Sequence, residues 1–237
     1  MRLKVQMNVQ KIPQFYRLYL LSFIKEMIRI GDSELYHELY DVGKRPKCLT
    51  YSLYMRQFKL VENEFHMENA TLTVSTSDPN LGIAFINGIS QTREFLHPQY
   101  PLEVTSTQIA AEEHIHTKIV KFKILNAILL EDKNHKPLLI QDESFERELN
   151  IVMNKQFEYL YGRNLYEPIQ ILEHHLKKQV IQESNRHADG RTLFYTAQKG
   201  DITLKGHPED LQFLYQNGTG NRSSQGYGTL EVISCYD

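Results

Sequence analysis

Four of the chain's 12 glycines fall within 11 residues, at Gly218, Gly220, Gly226 and Gly228, with Arg222, Ser223 and Ser224 between them. Glycine adopts positive φ without strain and lets another molecule come close to the main chain. Backbone N–H groups exposed in this way can cradle a phosphate. One guanidinium and two hydroxyls add side-chain donors at the same place, so the chemistry on offer is anion binding. Two familiar phosphate loops do not fit. A P-loop closes on Gly-Lys-Ser/Thr, and no Lys follows a glycine here. A dinucleotide fingerprint needs a glycine where Ser223 stands and must open a helix. This segment follows a helical pattern and runs into Leu230–Ile233, a strand pattern. The competing structural reading is a plain connection that turns a helix back into the edge of a sheet.

Other chemistry-bearing residues are sparser. His114 and His116 could share one strand face, and His174 and His175 are adjacent, but no carboxylate or cysteine stands at helpful ligand spacing. Neither a metal site nor a cofactor is expected. Cys48 and Cys235 make neither a disulfide framework nor a Cys-x-x-Cys pair. The 14 tyrosines and 11 phenylalanines include enough side chains to stack bases as well as build a core.

The elements that must position these groups follow from periodicity. Arg2–Val9 alternates as a strand and ends before Pro13. Phe15–Ile30 places Tyr16, Leu20, Phe23, Met27 and Ile30 at spacings of three and four, an amphipathic helix stopped by Gly31. Asp32 or Ser33 caps a short second helix, Glu34–Tyr40. A basic loop, Asp41–Lys47, leads to a strand over Leu49–Leu60 and another over His66–Ser75. Asp78-Pro79 opens a helix to about Ile89, and Phe95–Thr107 is strand-like. The order is strand, helix, strand, strand, helix, strand, the split βαβ or ferredoxin-like unit. The same order recurs through Val120–Leu130, Asp142–Tyr161, Ile169–Gln182, Thr192–Leu204, His207–Tyr215 and Tyr227–Ser234. The fold class is therefore α+β: two tandem ferredoxin-like (RRM-like) domains over residues 1–118 and 119–237, antiparallel sheets with helices on one face. The open face of such a sheet is a platform for single-stranded RNA.

Composition narrows the classes further. At 41% hydrophobic and 24% charged residues, the chain of 237 is an ordinary globular protein. The most apolar stretch, Tyr16–Ile30, is broken by Arg17, Lys25, Glu26 and Arg29, so no transmembrane helix is expected. The N-terminal alternation does not fit a signal peptide. A cytoplasmic protein without a membrane partner is the expectation. Net charge is −2, but residues 1–59 hold 11 Lys/Arg against 5 Asp/Glu. A basic segment of this kind is either a phosphate-facing surface or a solvated face.

The glycine-rich segment resembles the C-terminal loop of the CRISPR-associated endoribonucleases that cut precursor CRISPR RNA at its repeats. That loop reads Gly-x-Gly, a basic residue and Ser, then Gly-aromatic-Gly and a hydrophobic strand, matched here by Gly218, Gly220, Arg222, Ser223, Gly226, Tyr227 and Gly228. The other end is similar too: Met1–Val5, Pro13 before the first helix, His37 after a short second helix, and Leu49-Thr50-Tyr51-Ser52 as the next strand. The resemblance implies tandem ferredoxin-like domains, the first with a catalytic loop and the second with a glycine-rich RNA-binding loop. It implies metal-independent cleavage, in which the ribose 2′-hydroxyl attacks the adjacent phosphate. The products are a 2′,3′-cyclic phosphate and a 5′-hydroxyl. Such a reaction needs proton transfer and cations for the phosphorane charge.

On this resemblance His37 is the proton-transfer residue, since imidazole titrates near pH 6.5. Lys44 stabilises charge on the phosphate, with Arg45 and Lys47 as rivals in the same loop. Many family members carry a Tyr late in the first helix, where this chain has Lys25 or a neighbour, and Tyr40 or Tyr36 is the candidate substitute. Gly220, Arg222, Ser223, Ser224, Gly226 and Gly228 are the RNA-binding candidates. Lys177, Lys178, Arg186, Arg191, Lys199 and Lys205, on or near the paired strands of the second domain, are placed to grip a repeat stem. The implied partners are CRISPR repeat RNA, other subunits of a surveillance complex and a second copy of the chain. The alternative function is a non-cleaving repeat-RNA-binding subunit of such a complex.

Overall fold

Apolar residues at Leu3, Val5 and Met7 alternate with exposed Lys4, Gln6 and Asn8, which makes β1 (Arg2–Asn8) a strand with one buried face. A short strand β2 (Lys11–Pro13) follows, then α1 (Tyr16–Gly31), which buries Leu20, Phe23, Ile24, Met27 and Ile28. Gly31 is the last residue of α1. Asp32 then caps α2 (Ser33–Tyr40), its carboxylate accepting from the Leu35 N–H at 2.9 Å. The strands β3 (Thr50–Arg56), β4 (Lys59–Val61), β5 (Glu64–His66) and β6 (Asn69–Ser75) lead to α3 (Pro79–Gln91). Asp78 caps α3 with Pro79 in its first turn. Then come β7 (Glu94–Phe95) and β8 (Leu102–Ala110).

The structure, a computed structural model, describes residues 1–43, 45–184 and 192–236. Its first unit is Met1–Arg45 with Tyr51–Glu112, and its second is Pro46–Thr50 with Glu113–Asp237. In the first unit the sheet runs β3-β6-β1-β8-β7, while β2, β5 and β4 form a separate small sheet. The helices α1 and α3 approach closely. A Cβ on Gly88 would stand 1.9 Å from the Met27 carbonyl, so only glycine permits this contact. Phe23 closes the core edge-on against Phe85 and Phe95.

The second unit repeats the plan with β9 (Ile119–Ile124), α4 (Phe145–Tyr161), β10 (Gln170–Ser184), β11 (Thr192–Lys205), α5 (Pro208–Asn217) and β12 (Leu230–Tyr236). Its sheet order is β10-β11-β9-β12, all antiparallel. Counting only the four strands of each split βαβ motif, both units have spatial order two-three-one-four, the ferredoxin-like arrangement. Phe145, Leu149, Met153 and Phe157 recur every four residues along α4. They meet Val120, Phe122 and Ile124 of β9 and Leu211 and Leu214 of α5 in one core.

The strand expected over Val120–Leu130 is shorter than its apolar run. β9 stops at Ile124, and residues 125–130 continue as buried irregular chain. The strand expected over Leu49–Leu60 likewise ends at Arg56, and the chain turns into the β4–β5 hairpin. Among the described residues no helix is long and apolar enough to cross a membrane.

Candidate nucleic-acid interface

In the first unit, helical spacing assembles a polar cluster between α1 and α2. Asp41 lies one turn beyond His37, so the two side chains share a face. Asp41 Oδ2 accepts a hydrogen bond from His37 Nδ1. The imidazole is 66% exposed, and its Nε2 is the edge that remains for a ligand. Tyr36 meets the His37 ring edge-on at 5.7 Å and the Tyr40 ring at 5.2 Å. From α1, the Lys25 ammonium stands over both tyrosines, 4.3 Å from the Tyr40 ring centre and 5.8 Å from that of Tyr36. Burial pushes the Tyr40 phenol well above the usual tyrosine range, with Tyr36 adding to the shift. The Tyr40 hydroxyl is therefore a neutral group, able to donate a hydrogen bond but not to act as a base.

Arg45 is exposed, its Nε donating to the Val42 carbonyl, and Lys44 lies outside the described residues. Lys25 is not among the site candidates drawn from the sequence, which places it or a neighbour only where a Tyr is expected. The signal that could have found it is one cation opposite two tyrosines at i and i+4.

In the second unit, the glycine-rich segment folds against its own domain. It runs from the end of α5 through a short 3-10 turn, Ser223–Gln225, into β12. Thr219 N donates to the Gly228 carbonyl, Gly228 N to Ala127 and Asn221 N to Leu129, at 2.8–3.0 Å. A Cβ on Gly228 would stand 1.9 Å from the Thr219 carbonyl, and φ there is +64°, so the turn requires glycine. Gly226 sits at φ +80°, and its carbonyl accepts from Asn126 Nδ2 at 2.9 Å. Gly220, Gly226, Gly228 and Ser223 are buried; Asn221, Arg222, Ser224 and Gln225 reach the surface in part.

Arg222 is the one non-glycine residue of this loop with positive φ, at +59°. A left-handed conformation costs an ordinary residue about 1–2 kcal/mol. The guanidinium lies 4.7 Å from the Tyr195 ring centre.

Residues Pro46–Thr50 belong to this unit, which brings the end of the basic loop to the glycine segment. The hydroxyls of Thr50 and Thr229 share a hydrogen bond of 2.7 Å, and Thr50 also donates to the Tyr227 carbonyl. Beside them opens a cleft of about 750 Å³, lined by Pro46, Lys133, Lys155, Asn221 and Arg222 with Glu131 and Glu148. Asp132, also in its wall, is committed to its own turn. N–H groups of Lys136 and Asn134 bind its carboxylate and hold it below the usual range. Lys47, half-buried, follows Pro46 in the chain. The structure thus brings Pro46 and Arg222 together in the wall of one cleft of the second unit, with Thr50 buried against the glycine turn. On β10 and β11, Lys177 and Lys199 are direct cross-strand partners. Arg186 and Arg191 lie outside the described residues.

Among the described residues no three His, Cys, Asp or Glu side chains gather to hold a metal ion. The arrangement offers guanidinium, ammonium and hydroxyl donors to an anion, and an imidazole braced by a carboxylate.

Residues 110–232, which include the whole glycine turn, match the family described as CRISPR associated protein Cas6, C-terminal. The chain belongs to the Cas6 family. This is an RNA-binding, endoribonuclease-type family of CRISPR RNA processing. No curated protein sequence matches the chain. Among solved structures, the product of a Cas6-related gene from Pyrococcus furiosus is 20% identical, with a TM-score of 0.84 over 99% of this chain and 98% of its own. An RAMP protein binding different RNA substrates is 19% identical, with a TM-score of 0.82 over 99% and 100%. A Cas6 product complex is 12% identical, with a TM-score of 0.72 over 98% and 99%. At these identities the likeness is one of fold, tandem ferredoxin-like domains as in other Cas6 proteins.

Proposed function

We propose that the protein is a metal-independent endoribonuclease that cuts precursor CRISPR RNA within its repeats. The observation that carries this reading is the His37–Asp41 pair, an exposed imidazole with one nitrogen braced by a carboxylate and the other open. His37 Nε2 takes the proton of the ribose 2′-hydroxyl, and the 2′-oxygen forms its bond to the adjacent phosphorus. The bond to the 5′-oxygen breaks, that oxygen takes a proton from water, and His37 returns its own to solvent. The ends left are a 2′,3′-cyclic phosphate and a 5′-hydroxyl. Charge on the phosphorane falls to Lys44, with Arg45, Lys47 and Lys25 as further cations. Tyr40, neutral through burial, does not act as the base. The second unit holds the repeat. Arg222 and Ser224 contact its phosphates, while Gly220, Ser223, Gly226 and Gly228 fix the turn that presents them. The matured RNA is then available to other subunits of a surveillance complex.

One observation favours the second reading, a repeat-RNA-binding subunit that does not cut. Lys25 or a neighbour stands where the resemblance leads one to expect a Tyr, and the Tyr40 hydroxyl, the candidate substitute, is withdrawn by burial. End-group analysis of repeat RNA incubated with the protein in excess EDTA separates the two. The nuclease reading requires one cut with a cyclic phosphate, blocked by a 2′-deoxy nucleotide at the scissile position. Tight binding with intact RNA would establish the binding subunit instead.

A further inference from the structure

A second cavity of the C-terminal unit, about 440 Å³, lies against α4 and α5 and is used by none of the chemistry above. Its floor is Phe157 and Phe213, whose ring centres are 4.2 Å apart. Tyr161, 50% exposed, closes one side and meets Phe213 edge-on at 5.4 Å. His114 and His116, near-parallel rings at 26°, contribute from the segment before β9. Arg163 is fixed in place. Its Nη1 donates to the fully buried Asp210 at 2.9 Å, and its plane is held between the rings of Phe157 and Tyr166. Planar aromatic surfaces around a volume of this size suit a flat heterocycle.

Polar groups select which heterocycle. Glu209, Gln212 and Gln216 follow one another at spacings of three and four on α5, and so form a ladder along one wall. Gln212 Oε1 accepts from the Ile115 N–H at 2.9 Å. That bond sets the amide so that Nε2, a donor, is its other end. The wall therefore offers a carboxylate that accepts two hydrogen bonds beside an amide that donates one. Guanine presents the complement on its pairing edge, N1–H and N2–H donors beside the O6 acceptor. Adenine and cytosine would each turn a ring-nitrogen lone pair toward the carboxylate, and uracil offers it only one donor.

We infer that this cavity takes one guanine base, splayed out from a single-stranded part of the bound RNA. The RNA source rests on the proposed function; the choice of guanine rests on the cavity alone. The inferred contacts are stacking on Tyr161 and pairing with Glu209 and Gln212. Base–aromatic stacking and a matched pairing edge each shift affinity by about tenfold or more.

The test has two arms on the full chain. In the first, GMP and AMP are titrated against the protein and against Glu209→Gln and Tyr161→Ala. GMP is expected to bind at least tenfold more tightly than AMP, Glu209→Gln to remove that preference, and Tyr161→Ala to weaken both nucleotides about tenfold. In the second, repeat RNA carrying 6-thioguanosine at one guanosine at a time is photo-crosslinked, and the modified peptides are identified. A crosslink at Tyr161 or His116, suppressed by GMP, is the expected result. A GMP preference without that crosslink would keep the guanine site but overturn RNA as its source. Equal GMP and AMP binding, with RNA still bound and cut and no crosslink there, would overturn the inference and leave the nuclease reading standing. RNA neither bound nor cut would end that reading, and the nucleotide arm would still decide the cavity.

Discussion

Asp41 accepts a hydrogen bond from His37 Nδ1 one turn further on, and this leaves Nε2 as the imidazole's open edge. A carboxylate in that place fixes the tautomer and limits rotation of the ring. Asp41→Ala is expected to slow cleavage about tenfold or more, because an unheld imidazole spends less time aligned with the 2′-hydroxyl. RNA affinity should stay near wild type, and Asp41→Asn, which keeps an acceptor oxygen, should restore part of the rate. Single-turnover cleavage beside filter binding measures both. An unchanged rate in Asp41→Ala would deny the pair any part in the chemistry.

Lys25 holds its ammonium over Tyr40 and Tyr36. Lys25→Met keeps the apolar stem and removes the charge. If the cation serves the phosphorane, cleavage falls about tenfold or more, while loss of the ring contact costs only about 0.5–1 kcal/mol of stability. Urea unfolding and single-turnover kinetics on the same preparation check this. A large loss of stability with a normal rate would mark Lys25 as purely structural.

Arg222 combines positive φ with a side chain beside the cleft. Arg222→Gly removes the backbone strain and the charge together. Stability is expected to change by no more than about 1 kcal/mol. Repeat-RNA affinity should fall, and its salt dependence should flatten by about one counterion. Affinity measured across a salt series tests this. An unaltered slope would mean that Arg222 meets no phosphate.

Burial raises the phenols of Tyr40 and Tyr19 above their ordinary value. A raised folded-state value means that the fold favours the protonated form. The contribution is complete below about pH 10, the unfolded value, and is lost as pH rises beyond it. The urea midpoint should therefore drop on going from pH 8 to about pH 11, and Tyr40→Phe should drop less. Equal losses in wild type and Tyr40→Phe would contradict the burial of that hydroxyl. The same shift keeps Tyr40 neutral through the range where the nuclease works, so Tyr40→Phe should leave the shape of the cleavage pH profile unchanged.

Local rules read much of this fold correctly. The spacing of Leu20, Phe23 and Met27 gave the buried face of α1, and Asp32 and Asp78 marked the starts of α2 and α3. The apolar run to Leu130 misled because burial on all sides looks the same in a strand and in a packed irregular segment. The glycines of the loop had the same ambiguity. Their number said that something approaches the backbone closely, but not what. At Gly228 it is the chain's own Thr219 carbonyl, and the groups left facing outward are those between the glycines. Asp41 stands one turn from His37, a spacing legible in the sequence, but the relation of Lys25 to Tyr40 depends on how α1 and α2 pack, which spacing within one helix does not supply.

The most direct measurement is cleavage of a labelled repeat RNA by the wild-type chain and by His37→Ala, side by side in excess EDTA, with binding measured in parallel. The account predicts a single cut leaving a cyclic phosphate in the wild type, and binding without a cut in the variant. Cutting by His37→Ala at the wild-type rate would contradict it.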